Sequence, residues 1–70
     1  MFWWFERGGA YTRCEILQLA TGTYELRVID PSGAEHIEEF SNATELAKRQ
    51  QDVEHDLVGE GWTGPHGWVL

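Results

Sequence analysis

Residues 30–33 read Asp-Pro-Ser-Gly, a turn signal between two segments that read as strands. Pro31 pre-sets φ for the first central position of a type I turn, and Gly33 supplies the left-handed residue that closes a three-residue hairpin with a bulge. The flanking strands, at about 23–30 and 34–40, are therefore antiparallel neighbours. Thr21-Gly22 is short enough to join a strand at about 12–20 to the one at 23–30 as a two-residue turn. Gly8-Gly9 makes the same link between strands at 2–7 and 12–20. The chain reads as a four-stranded antiparallel meander.

After Phe40 the period changes. Asn42 followed by Glu45 has the spacing of a capping box, with Asn in place of Ser or Thr. Ala43, Leu46, Ala47, Gln50, Val53, Leu57 and Val58 then recur at helical spacing, with charged residues between them. The spacing predicts one amphipathic helix over about 42–58, stopped by Gly59 and Gly61. Its narrow apolar stripe suits packing of Leu46, Val53 and Leu57 on one face of the sheet. The expected fold is α+β, in the order ββββα, as a single domain over residues 1–70. Residues 59–70 form a Gly/Trp-rich tail, whose Gly and Pro argue against regular structure. Its two Trp and its Trp-Val-Leu ending argue that it docks on the domain or on a neighbour.

The strand faces pose a problem. A two-residue turn at Thr21-Gly22 sets Leu19 opposite Tyr24 and Leu17 opposite Leu26, giving one apolar face with Val28. The other face then holds Cys14, Ile16, Gln18, Glu25, Arg27 and Ile29. That face is mixed, whereas a sheet with one side in water alternates more cleanly. Phe2, Trp3, Trp4 and Phe5 put rings on both sides of a strand that is an edge in this meander. Ile37 and Phe40 also fall on opposite faces. Either bulges and the C-terminal Trp residues absorb the surplus, or it forms an interface for another chain.

Size makes the surplus notable. A chain of 70 residues buries only about 60% of the surface it exposes when unfolded. With a single cysteine, no internal disulfide can add to the margin. Four Trp, three Phe and two Tyr offer a dense core and leave apolar surface after one helix has covered one face.

Charge bears on partners. Twelve acidic residues against five basic ones give a net charge of −7. Phosphate-binding proteins need the reverse balance, and an anionic membrane surface repels such a chain. No segment approaches the ~20 apolar residues needed to span a bilayer. The apolar start, Met1 to Phe5, lacks a basic region and runs into Glu6 and Arg7, so it does not read as a signal peptide. With a lone cysteine, this points to the cytoplasm.

Chemistry finds little purchase. His36, His55 and His66 have no second His at i+3 or i+4, and with Cys14 they match no zinc-ligand spacing. Cys14 reads as a small buried hydrophobe rather than a reactive thiol. Glu35, Glu38, Glu39, Glu45, Asp52, Glu54, Asp56 and Glu60 single out no acid–base pair and read as solvated faces. No phosphate loop, nucleotide fingerprint or nucleophile elbow is present. No catalytic, cofactor-binding or metal residue is assigned, and no enzymatic activity is expected.

The reading that follows is a non-enzymatic protein-interaction module that binds a second copy of itself, as a homodimer, or another protein. Its expected interface is the aromatic set Phe2, Trp3, Trp4, Phe5, Trp62, Trp68, Val69 and Leu70. An alternative is an acidic DNA-mimic or inhibitor-type protein that binds a basic partner. A further one is a sheet-based binder of single-stranded nucleic acid, which the net charge disfavours.

Overall fold

Alternation along the first strands decides which side of the sheet is covered. The computed structural model describes residues 1–69, with side chains through residue 67. Its elements are β1 (Phe2–Arg7), β2 (Ala10–Gln18), β3 (Tyr24–Ile29), β4 (Glu35–Phe40), α1 (Ala43–Gly59) and β5 (Thr63–Val69). Trp3 and Phe5 of β1 lie opposite Cys14 and Thr12 of β2, and all four are buried. Ile16 and Cys14 lie opposite Leu26 and Val28 of β3, which extends the same face. Leu46 of α1 is buried against this face, with Val53 and Leu57 packed at its margin.

The helix forms as its spacing requires. Asn42 is the N-cap, and its side-chain oxygen accepts from the Glu45 N–H at 2.9 Å. Leu46, Gln50, Val53 and Leu57 form the inward stripe, while Ala43, Ala47 and Val58 are exposed. At the far end, the Gly61 N–H bonds to Val58 O and the Trp62 N–H to Leu57 O, both at 3.0 Å. Gly61 has φ +92°. This is the Schellman arrangement, which needs a left-handed residue just past the helix. It reverses the chain and drops Trp62 into the core.

That reversal produces the largest departure from the expected fold. The sheet has five antiparallel strands in the order β4-β3-β2-β1-β5. The tail is therefore a strand, and β1 lies inside the sheet rather than at its edge. Gly and Pro weaken a central strand, but an outer strand tolerates both. Here Pro65, which has no N–H, and the close approach of Gly64 and Gly67 to β1 are accommodated by two register shifts in the β1–β5 pairing.

The second departure is one of register. The β2–β3 loop is Ala20-Thr21-Gly22, closed by Leu19 N–H to Thr23 O at 2.8 Å and Gly22 N–H to Leu19 O at 3.0 Å. It is a three-residue loop, not a two-residue one, so Gln18 lies opposite Tyr24 and Leu17 opposite Glu25. A slip of one residue exchanges the faces of a strand. Cys14 and Ile16 thus point inward beside Leu26, and Leu17 points outward. The β3–β4 loop has the expected geometry, with Asp30 N–H to Ala34 O at 3.0 Å and Gly33 N–H to Asp30 O at 2.9 Å. Ile37 and Phe40 do fall on opposite faces, with no bulge in the β3–β4 pairing.

Candidate functional site: the open face of the sheet

The residues that alternate with the core line the other face. From β1 come Phe2, Trp4 and Glu6, and from β2 Tyr11, Arg13, Glu15 and Leu17. From β3 come Glu25, Arg27 and Ile29, and from β4 Glu35, Ile37 and Glu39. Among the described residues no helix or loop covers this face. Tyr11 is 58% exposed, Ile37 52% and Leu17 42%.

At the β1 side the aromatic residues support one another. The Phe2 and Trp4 rings stack with centroids 6.2 Å apart, and the His66 ring stands 6.4 Å from Trp4. The Trp4 ring also lies over Gly67, where an added Cβ would run into the ring. A glycine is needed there both for that approach and for its φ of +63°. The Arg13 guanidinium lies 6.0 Å from the Phe2 ring centroid. Phe2, Trp4, Tyr11, Arg13, Ile29 and Pro31 line a broad, shallow cleft of about 760 Å³ at the end of the sheet that carries the β1–β2 and β3–β4 turns.

The centre of the face is ionic. Arg27 donates to Glu25 at 3.0 Å, and it reaches Glu35 at 3.4 Å and Glu15 at 4.0 Å. Its Nε is buried without an aligned hydrogen bond, although Glu35 is near. The bond to Glu25 holds the guanidinium above its ordinary pKa. Arg13 pairs with Glu15 at 3.2 Å. At the β3–β4 turn, Asp30 accepts from the Ser32 hydroxyl and from the Ser32 and Ala34 N–H groups. The Ser32 hydroxyl bond is the chief cause of a lowered Asp30 pKa.

The expected interface residues thus divide. Phe2 and Trp4 lie half-buried on the open face. Trp3, Phe5 and Trp62 are in the core beneath α1, because alternation and the Schellman reversal turn them inward. Trp62 is further covered by the Arg7 guanidinium, 4.9 Å from its ring centroid. Arg7 also donates to Glu60 O at 2.8 Å. The backbones of Trp68 and Val69 belong to β5, and Leu70 lies outside the described residues. Tyr11, Leu17, Ile29 and Ile37 join the face. Leu17 was hidden by the register of its turn, and Tyr11 fell outside the strand expected at about 12–20.

The groups capable of chemistry are not gathered on this face. Cys14 is buried on the opposite side, where desolvation pushes its thiol up to about 12. His36, His55 and His66 lie on β4, α1 and β5. His66 contacts Thr63 Oγ1 at 3.2 Å, and His36 lies 3.7 Å from Asp30. Among the described residues no group of three or more His, Cys, Asp or Glu side chains is placed to hold a metal ion. No described helix is long and apolar enough to cross a membrane.

No family model matches the chain, and no curated protein or solved structure is similar enough to be matched with it.

Proposed function

We propose that this protein is a non-enzymatic interaction module whose open sheet face binds a second copy of the chain. The observation that carries the reading is the exposure of Tyr11, Leu17 and Ile37 beside half-buried Phe2, Trp4 and Ile29 on a face with no cover among the described residues. Apolar patches of this kind, rimmed by charge, mark interaction surfaces. A standard interface buries about 800 Å² per partner, roughly a sixth of the 4560 Å² this chain exposes. One broad face can supply that area. The face also carries both signs of charge, so a two-fold pairing can set Arg13 of one copy against carboxylates of the other.

Each copy carries −7, so salt should strengthen the pairing by screening repulsion between the copies. Leu17→Glu adds a charge at an exposed position and should leave the fold intact. It should abolish the dimer and remove the dependence of melting temperature on concentration. An unchanged dimer in this variant would move the interface elsewhere.

A second reading, an acidic protein that binds a basic partner, is favoured by the β3–β4 side. There Arg27 serves three carboxylates, and Glu39 lies opposite Glu25 with no ion pair among the described residues. Binding of this kind weakens as salt rises, the opposite of the first reading.

A further inference from the structure

The two outer strands of the sheet are protected to different degrees. β5 has Pro65, which lacks an N–H, two glycines with positive φ, and two register shifts against β1. Such features blunt an edge. β4 has none of them. Its six residues pair with β3 in unbroken register from Ile29↔Glu35 to Tyr24↔Phe40.

The direction of the free backbone groups follows from that register. Asp30 N–H bonds to Ala34 O, and hydrogen-bonded pairs alternate along an antiparallel ladder. His36, Glu38 and Phe40 therefore direct their N–H and C=O groups toward β3. Glu35, Ile37 and Glu39 direct theirs outward, and no described residue bonds to them. The same three residues place their side chains on the open face. The edge thus presents a backbone ladder together with an acid–apolar–acid pattern.

We propose that the outer edge of β4 receives an extended basic segment of another protein as a sixth strand, with Lys or Arg opposite Glu35 and Glu39 and an apolar residue opposite Ile37. The inference rests on the basic-partner reading and names how that partner binds. Strand addition takes affinity from main-chain bonds and specificity from alternate side chains. Charge complementarity selects the occupant. Glu39 has no ion pair among the described residues and faces Glu25 across the ladder, while Glu35 shares Arg27 with Glu25 and Glu15. A cation on the new strand relieves both positions. A second copy of β4 fits poorly, because two-fold antiparallel pairing about Ile37 sets Glu35 against Glu39 twice. Like charges directly opposite one another destabilise a sheet.

The test measures fluorescence anisotropy with labelled peptides at low salt. The first reads Thr-Lys-Thr-Val-Thr-Lys-Thr. The second has Glu in place of both Lys. The third has the first peptide's composition with both Lys moved to one end. The first should bind about tenfold more tightly than the second, since two cross-strand pairs change sign. It should also bind more tightly than the third, and it should slow amide exchange at Ile37 and Glu39. Glu39→Lys gives Glu25 a cross-strand partner and keeps the fold, and it should shift the preference toward the Glu peptide. Equal binding of the first and third peptides would overturn strand addition while leaving the basic-partner reading intact. No binding of any basic peptide would overturn both. Protection confined to the outward Glu35, Ile37 and Glu39 amides on raising protein concentration alone would assign the edge to a second copy and overturn the proposal.

Discussion

The helix-covered face and the open face are built from alternate residues of the same strands, and they differ in what completes them. On the covered side Trp3, Phe5, Cys14 and Leu26 meet Leu46 and Trp62, and each is buried within this chain. On the open side Phe2 and Trp4 are only half-sheltered, Tyr11 is exposed, and the ionic cluster around Arg27 lies among exposed apolar side chains. A covered face carries the stability of the monomer. An uncovered one of similar breadth has little effect on the monomer and is free to specify a partner.

Substitutions on the two faces should therefore separate cleanly. Phe5→Ala removes a fully buried ring from the centre of the covered face and should cost about 3–5 kcal/mol in urea denaturation. A domain of this size has only about 4–10 kcal/mol in hand, so the variant should be largely unfolded or close to it. Gly67→Ala probes the packing of the open face against β5. It forces a side chain into the Trp4 ring at a left-handed backbone position and should cost about 2–4 kcal/mol.

The buried thiol gives the covered face a pH signature. Cys14 titrates at about 12 when folded, against 9.0 for a solvated cysteine thiol. Between those values the unfolded chain holds fewer protons than the folded one, so stability falls as pH rises. Denaturation across that range should show a steeper loss in the native sequence than in Cys14→Ala. Thiol reagents at neutral pH should modify Cys14 only after unfolding. The smallest effect belongs to the open face. Tyr11→Thr, measured at concentrations where the protein is monomeric, should change stability by less than about 0.5 kcal/mol. A loss as large as that of Phe5→Ala would mean that this face is part of the monomer's core.

How much of this was legible in the sequence depended on where the backbone chemistry was explicit. Pro31 and Gly33 specify both special positions of their loop, and the β3–β4 hairpin follows from them. The β2–β3 loop has Gly22 at its left-handed position, but Ala20 at its start leaves no mark of loop length. One residue of uncertainty there reversed the expected faces of Leu17 and Ile16. The helix was readable from Asn42, Glu45 and the stripe through Leu57. The fifth strand was obscured because Gly and Pro normally argue against a strand, and the rule weakens at an edge. Gly61 was the available signal, since a Schellman glycine returns the chain toward the layer it left. The aromatic surplus was visible from composition, but its division between core and open face needed the register of β1 between β2 and β5.

Sedimentation equilibrium of the native chain across a wide concentration range tests most directly whether the open face is an interface. The mass should rise from 8.0 kDa toward twice that value, more readily at high salt, and the Leu17→Glu variant should stay at the lower value. A native chain that remains at 8.0 kDa throughout, at every salt concentration, would contradict self-association through this face.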